Sequence, residues 1–446
     1  MSKNRDFDFL HYPLPPDIAR RKEQGDIPGA IRLIDRALER GDQPELAPRL
    51  RCERIRLERL EYNYNLPFSQ AKDMMREEWP DMTDEQFDAL LDNNRIDWRY
   101  IGGEPRCHDR FLSSVRLYPK DAPGLKQTAE DFTARDEMLA RMKAEGGLAA
   151  RITLKATISA KTPSAGKSVQ AWLPIPADCP QQSEIEILHC TEGAQIAPAD
   201  APQRTVYWDS RERDSFTVTY RYLIRAPYVD MDTLTADPVQ PDFETEEQLP
   251  HIQFTPYLRA LCGRITHGIA DPLKKAKAIY DWVTEYVDYR FQPDYFQLDP
   301  VAELCARELR GDCGLFAVLF ITLCRIAGIP ARWQSGLAVT PESAGCHDWA
   351  MFYIAPHGWL WADCSYGSAS RRRGETHRRA HYFGNLDPQR MAANHKFAAP
   401  LTPPDPQWRH DPTDNQLGEM VVDGVGLYGK EMSRWVTVEE FEYLPY

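Results

Sequence analysis

The sequence predicts an α+β protein in three parts: an α-helical N-terminal domain over 1–147, an antiparallel β-sandwich over 148–236, and a mixed helix-and-strand domain with a C-terminal tail over 237–446. Two observations lead there. The hydrophobic period is near 3.6 as far as Gly147, drops to 2 from Ile152, and returns to 3.6 after Thr255, ahead of a second group of strands. At 446 residues the chain also exceeds one ordinary core, given about 100–200 residues per domain.

The helical region is justified element by element. In the run from Asp26 to Gly41, Ile27, Ala30, Ile31, Ile34, Ala37 and Leu38 share one face, with Asp26 suited to the N-cap and Gly41 to the stop. A second helix is expected from Leu46 to Leu60. Thr83-Asp84-Glu85-Gln86 is a capping box opening another around Phe87, Leu90 and Leu91. Gly102-Gly103-Glu104-Pro105 breaks the pattern as a turn, and a last helix runs from Lys126 to Gly146-Gly147.

Strand alternation follows. Ile152, Leu154, Ala156 and Ile158 alternate with polar neighbours, and Val169–Leu173, Ile185–Leu188, Thr205–Trp208 and Phe216–Ile224 continue the period between turn-forming clusters. Short strands of this spacing predict an antiparallel sandwich. The proline- and acid-rich stretch from Asp237 to Pro250 reads as a linker or extended arm.

In the third part, Ala276, Ile279, Tyr280, Val283 and Val287 form a helical stripe, and a strongly apolar helix is expected over 313–327. Strand-like runs occupy Arg332–Val339, Trp349–Ile354 and Trp359–Ala362. The proline-rich tail from Pro400 is expected to wrap the surface.

Composition excludes several function classes. The formal net charge of -13, from 67 acidic and 54 basic side chains, repels phosphate backbones, so no nucleic-acid partner is expected. Met1 to Leu10 holds no signal-length apolar run, and nothing approaches the roughly 18 apolar residues of a membrane span, so a cytoplasmic protein without membrane association is expected. The 10 cysteines lack paired C-x-x-C spacing and read as free thiols in a reducing compartment. No metal site is expected, Cys107-His108 lacking further ligands at metal spacing.

One constellation carries chemistry. Gly311-Asp312-Cys313-Gly314 places a cysteine where a turn enters an apolar helix, so the helix dipole and a nearby imidazolium would lower its thiol pKa. The Cys313 main-chain N–H can face a developing oxyanion. Taken alone, such a cysteine is more often a small buried hydrophobe. Context changes that: His347 opens one strand and Asp363 ends the next, so an imidazole and a carboxylate can lie side by side, with Asp363 fixing the His347 tautomer.

The run Gly311-Asp312-Cys313-Gly314, then Leu323-Cys324-Arg325-Ile326-Ala327-Gly328-Ile329-Pro330-Ala331-Arg332, then His347-Asp348-Trp349, then Gly358-Trp359-Leu360-Trp361-Ala362-Asp363 resembles the core of the transglutaminase-like superfamily. The resemblance covers about residues 245 to 370 and includes Tyr280-Asp281-Trp282-Val283 in the preceding helix. It implies a papain-like fold with Cys313, His347 and Asp363 as nucleophile, base and orienting acid. It also implies a bacterial multidomain arrangement in which Ala171-Trp172-Leu173-Pro174-Ile175-Pro176 is similar to a preceding sandwich. Two positions depart from the family pattern: Asp348 stands where Ala is usual and Cys364 where Pro is usual. Neither removes a catalytic group, and Asp348 is expected to point away from His347 because strand neighbours alternate faces.

Other residues receive structural readings. His357 is expected to be exposed, Tyr289 to be a buried aromatic with a minority role as second oxyanion donor, Arg332 to make an ion pair, and Arg371–Arg373 with Arg378-Arg379 to form a solvated basic loop. The expected reaction is acyl transfer through a thioester, most simply hydrolysis of peptide or amide bonds, with transglutamination as the alternative when an amine resolves the thioester. Leu323-Cys324-Arg325 and Trp361-Ala362-Asp363-Cys364 are also similar to deglycosylating amidases. A non-catalytic binding module is the competing class. The expected partners are a protein or peptide substrate and, through the helical N-terminal domain, a protein partner. No cofactor is implied, and no D-x-[DN]-x-[DN]-G calcium loop occurs.

Overall fold

The structure is a computed structural model that describes residues 10, 12–126, 132–162, 164, 166–405 and 409–446. The readings made on residues 1–9 and on 127–131, the start of the helix expected from Lys126, lie outside the described residues.

Amphipathic periods become helices α1 (Pro16–Glu23), α2 (Ile27–Arg40), α3 (Ala47–Asn63), α4 (Phe68–Glu78), α5 (Asp84–Asp92), α6 (Phe111–Arg116) and α7 (Thr133–Glu145). Asp26 caps α2 by accepting from Gly29 N at 3.0 Å, and Gly41 ends it at φ +64°. Thr83 and Gln86 close the capping box of α5. A small sheet that the helical reading missed joins β1 (Leu66–Pro67), β2 (Trp98–Ile101) and β3 (Glu104–Cys107), with Gly102 and Gly103 at φ 64° and 86° in the turn.

The period-2 segments form β4 (Gly147–Ala160), β5 (Val169–Pro174), β6 (Gln182–Cys190), β7 (Gln195–Ile196), β8 (Thr205–Ser210) and β9 (Ser215–Pro227). On β9, Phe216, Val218, Tyr220, Tyr222 and Ile224 are all buried, as alternation requires. Inner faces of two sheets share one core that includes Ile152, Leu154, Val169, Trp208 and Tyr220.

The third part contains α8 (Pro256–Ile265), α9 (Pro272–Tyr286), β10 (Asp288–Tyr289), α10 (Val301–Glu308), β11 (Arg310–Gly311) and α11 (Cys313–Ile326). After them come β12 (Ala331–Val339), β13 (Ala344–Ile354), β14 (Gly358–Ala362), α12 (Cys364–Arg373), α13 (Thr376–His381), β15 (Phe383–Gly384) and β16 (Arg390–Asn394). The strands make a five-stranded antiparallel sheet in the order β15-β14-β13-β12-β16. One face packs on α8 to α11 through Phe316, Phe320, Ala350 and Phe352, while Leu337, Val339, Met391 and Ala393 join the sandwich core on the other. Helix α11 is buried from Gly314 to Arg325. Each of its large apolar side chains contributes about 1.5–3 kcal/mol of burial energy.

Three local readings are corrected. The expected surface tail instead supplies β17 (Glu419–Val422), β18 (Val425–Gly426) and β19 (Met432–Leu444), which complete the sandwich: β17 pairs with β5, and β19 with β4. The basic segment is not a solvated loop but lies on α12 and α13. There Arg371 pairs with Asp288 at 2.9 Å, Arg378 with Asp136 at 2.5 Å and Arg379 with Glu285 at 2.9 Å. Arg332 makes no ion pair among the described residues and stacks 4.0 Å above the Trp359 ring, while Arg325 pairs with Glu244 at 3.2 Å.

Candidate functional site

Cys313 is the first residue of α11, and Asp312 caps the helix by accepting from Leu315 N at 3.3 Å. The approach is fixed by a short parallel pairing of β10 with β11, which sets Tyr289 opposite Gly311. The Tyr295 hydroxyl donates to Asp312 Oδ1, and Gly314 leaves the space it needs, since a Cβ there would lie 2.1 Å from the Tyr295 oxygen.

His347 and Asp363 come together. His347 Nε2 lies 2.7 Å from Asp363 Oδ2, and both residues are buried. Asp363 directly follows β14 and caps α12, its Oδ1 accepting from Tyr366 N and Ser365 Oγ at 3.0 Å each. The same Oδ2 also receives Arg390 Nη2 at 3.0 Å, and Arg390 pairs with Asp387 at 3.1 Å. Burial opposes ionisation of Asp363, but the His347 ring and the Arg390 guanidinium outweigh it and hold the carboxyl well below the usual range. Burial lowers the His347 pKa, Asp363 raises it and Arg390 lowers it, for a net downward shift that leaves a neutral ring near pH 7. Tyr366 covers the imidazole, ring centroids 4.6 Å apart.

Cys313 bonds elsewhere. Its thiol donates to Asp348 Oδ2 at 3.1 Å, and no hydrogen bond joins Cys313 to His347 among the described residues. Alternation on β13 explains the partner. His347 and Trp349 share one face, their ring centroids 6.0 Å apart, whereas Ala350 and Phe352 project into the core containing α11, and Asp348 lies on their side. Asp348 therefore sits on the face opposite His347, as expected, and that face is the one Cys313 occupies.

The expected lowering of the thiol pKa is overturned. Burial, Asp348 and Asp312 together push the Cys313 thiol well above its usual range, outweighing the N-terminus of α11 and the Asp348 main-chain N–H that donates to the sulfur. Burial also raises Asp348 well above the carboxylate range, reinforced by Asp414 and Asp312, and pushes Asp414 and Asp312 up to about 6. Cys313 nonetheless keeps partial solvent access.

Sequence reasoning missed the C-terminal contribution. Gln416 Nε2 donates to Asp348 Oδ1 at 2.5 Å and to His347 O at 3.1 Å, and Ser335 Oγ donates to Asp414 Oδ2 at 2.5 Å. No local period marks residues 409–418, so only the fold could reveal them. Arg390 was missed for the same reason. His357 is exposed and accepts no catalytic role, its ring bonding Thr235 O at 3.0 Å. Tyr289 is half-buried beside Cys313, stacked at 6.4 Å on Phe316. Among the described residues no group of His, Cys, Asp and Glu could hold a metal ion, and no helix is long and apolar enough to cross a membrane.

Comparison with known proteins gives a family match over part of the chain. The family model described as the transglutaminase-like superfamily matches residues 259–364, a span that contains Cys313, His347 and Asp363. No curated protein matches the chain. Among solved structures, a candidate cysteine protease from Cytophaga hutchinsonii is similar at 17% identity and a TM-score of 0.41, covering 67% of this chain and 93% of its own. The periplasmic domain of TgpA from Pseudomonas aeruginosa is similar at 17% identity and a TM-score of 0.28, covering 50% of this chain and 92% of its own. The chain therefore carries a transglutaminase-like core over residues 259–364.

Proposed function

We propose that the protein is a cysteine-dependent acyl-transfer enzyme acting on peptide or amide bonds, with Cys313 as nucleophile, His347 as acid–base and Asp363 as the group that orients it. The single observation that carries the reading is the buried His347–Asp363 pair at 2.7 Å, held on the strands beside the helix that begins at Cys313. A carboxylate bonded to one ring nitrogen leaves the other free to take a proton, which is what thiol chemistry needs.

In this reading the Cys313 S–H bond breaks, its proton reaches the free nitrogen of His347 through water rather than by direct contact, and sulfur attacks the carbonyl. His347 then protonates the leaving amine, and a thioester remains on Cys313. Water resolves that thioester to a carboxylic acid. A lysine amine would resolve it to a new amide. We favour hydrolysis, because water needs no dedicated acceptor site.

Acid–base help is worth about 10² to 10⁴-fold, so the assignment is tested by acyl-enzyme trapping. Intact-mass measurement with a panel of peptide amides and activated peptide esters should show an adduct on Cys313 in the native protein. The adduct should be absent in Cys313→Ala and formed at least about a hundredfold more slowly in His347→Ala. An adduct that survives the loss of Cys313, or no adduct with any acyl donor, overturns the reading. Adding a primary amine separates the two fates of the thioester: unchanged acid product supports a hydrolase, and an amide product supports a transglutaminase.

A further inference from the structure

Asp348 makes two contacts with the Cys313 sulfur that act in opposite directions. Its carboxylate accepts from the thiol at 3.1 Å, and its main-chain N–H donates to the sulfur. An N–H and the start of α11 favour a thiolate, whereas a carboxylate against sulfur disfavours one. Burial and the side chains of Asp348 and Asp312 therefore oppose an anion that the backbone around the sulfur favours.

The carboxyl is held there from several elements. Asp348 and Asp414 hydrogen-bond to each other, Asp414 is anchored by Ser335 Oγ at 2.5 Å, and Gln416 Nε2 holds the other Asp348 oxygen at 2.5 Å. Asp312 faces the group from the N-cap of α11, and Tyr289 and Tyr295 face it from the segment that follows α9. Arg110, from the helical N-terminal part, brings positive charge to the same region, its guanidinium 3.6 Å above the Phe291 ring.

We infer that Asp348 controls the nucleophile: its carboxyl, accepting from the thiol and held in place by Gln416, keeps Cys313 a thiol in the resting protein, and the thiolate forms once that carboxyl is drawn off the sulfur. The inference rests on Cys313 being the nucleophile. Asp348 touches the reacting atom, while Asp414 acts through Asp348 and is a positioning residue. Release of the thiol changes only the place of one proton: the S–H bond breaks, its electron pair stays on sulfur, and the proton leaves to the solvent to which Cys313 keeps partial access.

The two carboxyls should act with opposite signs. Neighbouring acids resist ionising together, so Asp414 favours a proton on Asp348 and weakens its hold on the thiol. Removing Asp414 leaves Asp348 more fully ionised against the sulfur. A general loosening of the pocket would instead expose Cys313 equally in either variant.

The test is the pH dependence of Cys313 alkylation by iodoacetamide in the full chain, read by mass spectrometry. Asp348→Ala, which keeps the main-chain N–H, and Asp348→Asn should each label Cys313 about tenfold or more faster near neutral pH, a fall of at least one unit in thiol pKa. Asp414→Asn should label no faster than the native protein. If Asp348→Ala loses the native circular dichroism, Asp348→Asn carries the test, being closest in shape. Labelling that is unchanged or slower in the Asp348 variants, or accelerated equally by Asp414→Asn, overturns the inference. Alkylation reads the proton without turnover, so a protein with this profile but no acyl-enzyme would fail the catalytic reading alone.

Discussion

Asp363 has four partners in one buried place: a hydrogen bond with His347 Nε2 and an ion pair with Arg390 Nη2 on one oxygen, and hydrogen bonds from Ser365 Oγ and Tyr366 N on the other. Such a carboxylate does two tasks at once, fixing an imidazole and neutralising a guanidinium that has almost no access to water. Asp363→Asn keeps the shape but removes the charge, leaving Arg390 to Asp387 alone. Breaking a buried charge pair costs about 3–5 kcal/mol, and with Asp387 retained the loss should fall near about 3 kcal/mol, read as a lower urea midpoint. The pH dependence follows from the sign of the shift. A carboxyl held below its unfolded value of about 3.9 contributes stability that is complete above that pH and is lost as pH falls below it. Native protein should therefore weaken steeply on acidification below about pH 4, and Asp363→Asn should lack that part of the slope.

At the scale of elements, α11 shows how one glycine decides a site. Gly-to-Ala inside an exposed helix normally stabilises by up to about 1 kcal/mol. At Gly314 the sign should reverse, because the new Cβ would meet the Tyr295 hydroxyl at 2.1 Å and break its bond to Asp312. Gly314→Ala should cost about 1–3 kcal/mol by denaturant unfolding, the usual range for overpacking. Much of this element was legible beforehand, since the apolar run from Cys313, its acidic cap and the strand alternation from Arg332 to Ala362 all carry local signals. So were the pairing of His347 with Asp363 and the opposite faces of His347 and Asp348. What alternation could not say is which face of β13 meets α11, and that choice puts Asp348 rather than His347 in contact with the thiol. It is a packing decision between elements, made by Phe316, Phe320, Ala350 and Phe352 in a shared core. Strand β19 stayed hidden for a different reason: most of its side chains are partly or fully exposed, so its hydrophobic alternation is diluted.

The whole molecule is closed by its last residues. Sheet order β19-β4-β9-β6 makes β19 the edge partner of β4, from Met432 against Ala160 to Leu444 against Ala149, while β17 flanks β5 in the facing sheet. Just ahead of β17 the chain passes the core and delivers Asp414 and Gln416 to Asp348. Two truncations should therefore behave differently. Ending the chain after Glu431 strips β4 of a neighbour along its length, exposes unpaired backbone groups, and should lower the unfolding midpoint and promote self-association, read by thermal melts and light scattering. The protein that remains folded at low temperature should still label Cys313 slowly, because Asp414 and Gln416 are retained. Ending it after Arg409 removes both, together with β17, so stability and the restraint on Asp348 should fail together. A C-terminal segment that merely wrapped the surface would leave melting and aggregation unchanged in the first truncation, and that outcome would separate the sandwich from its last strands.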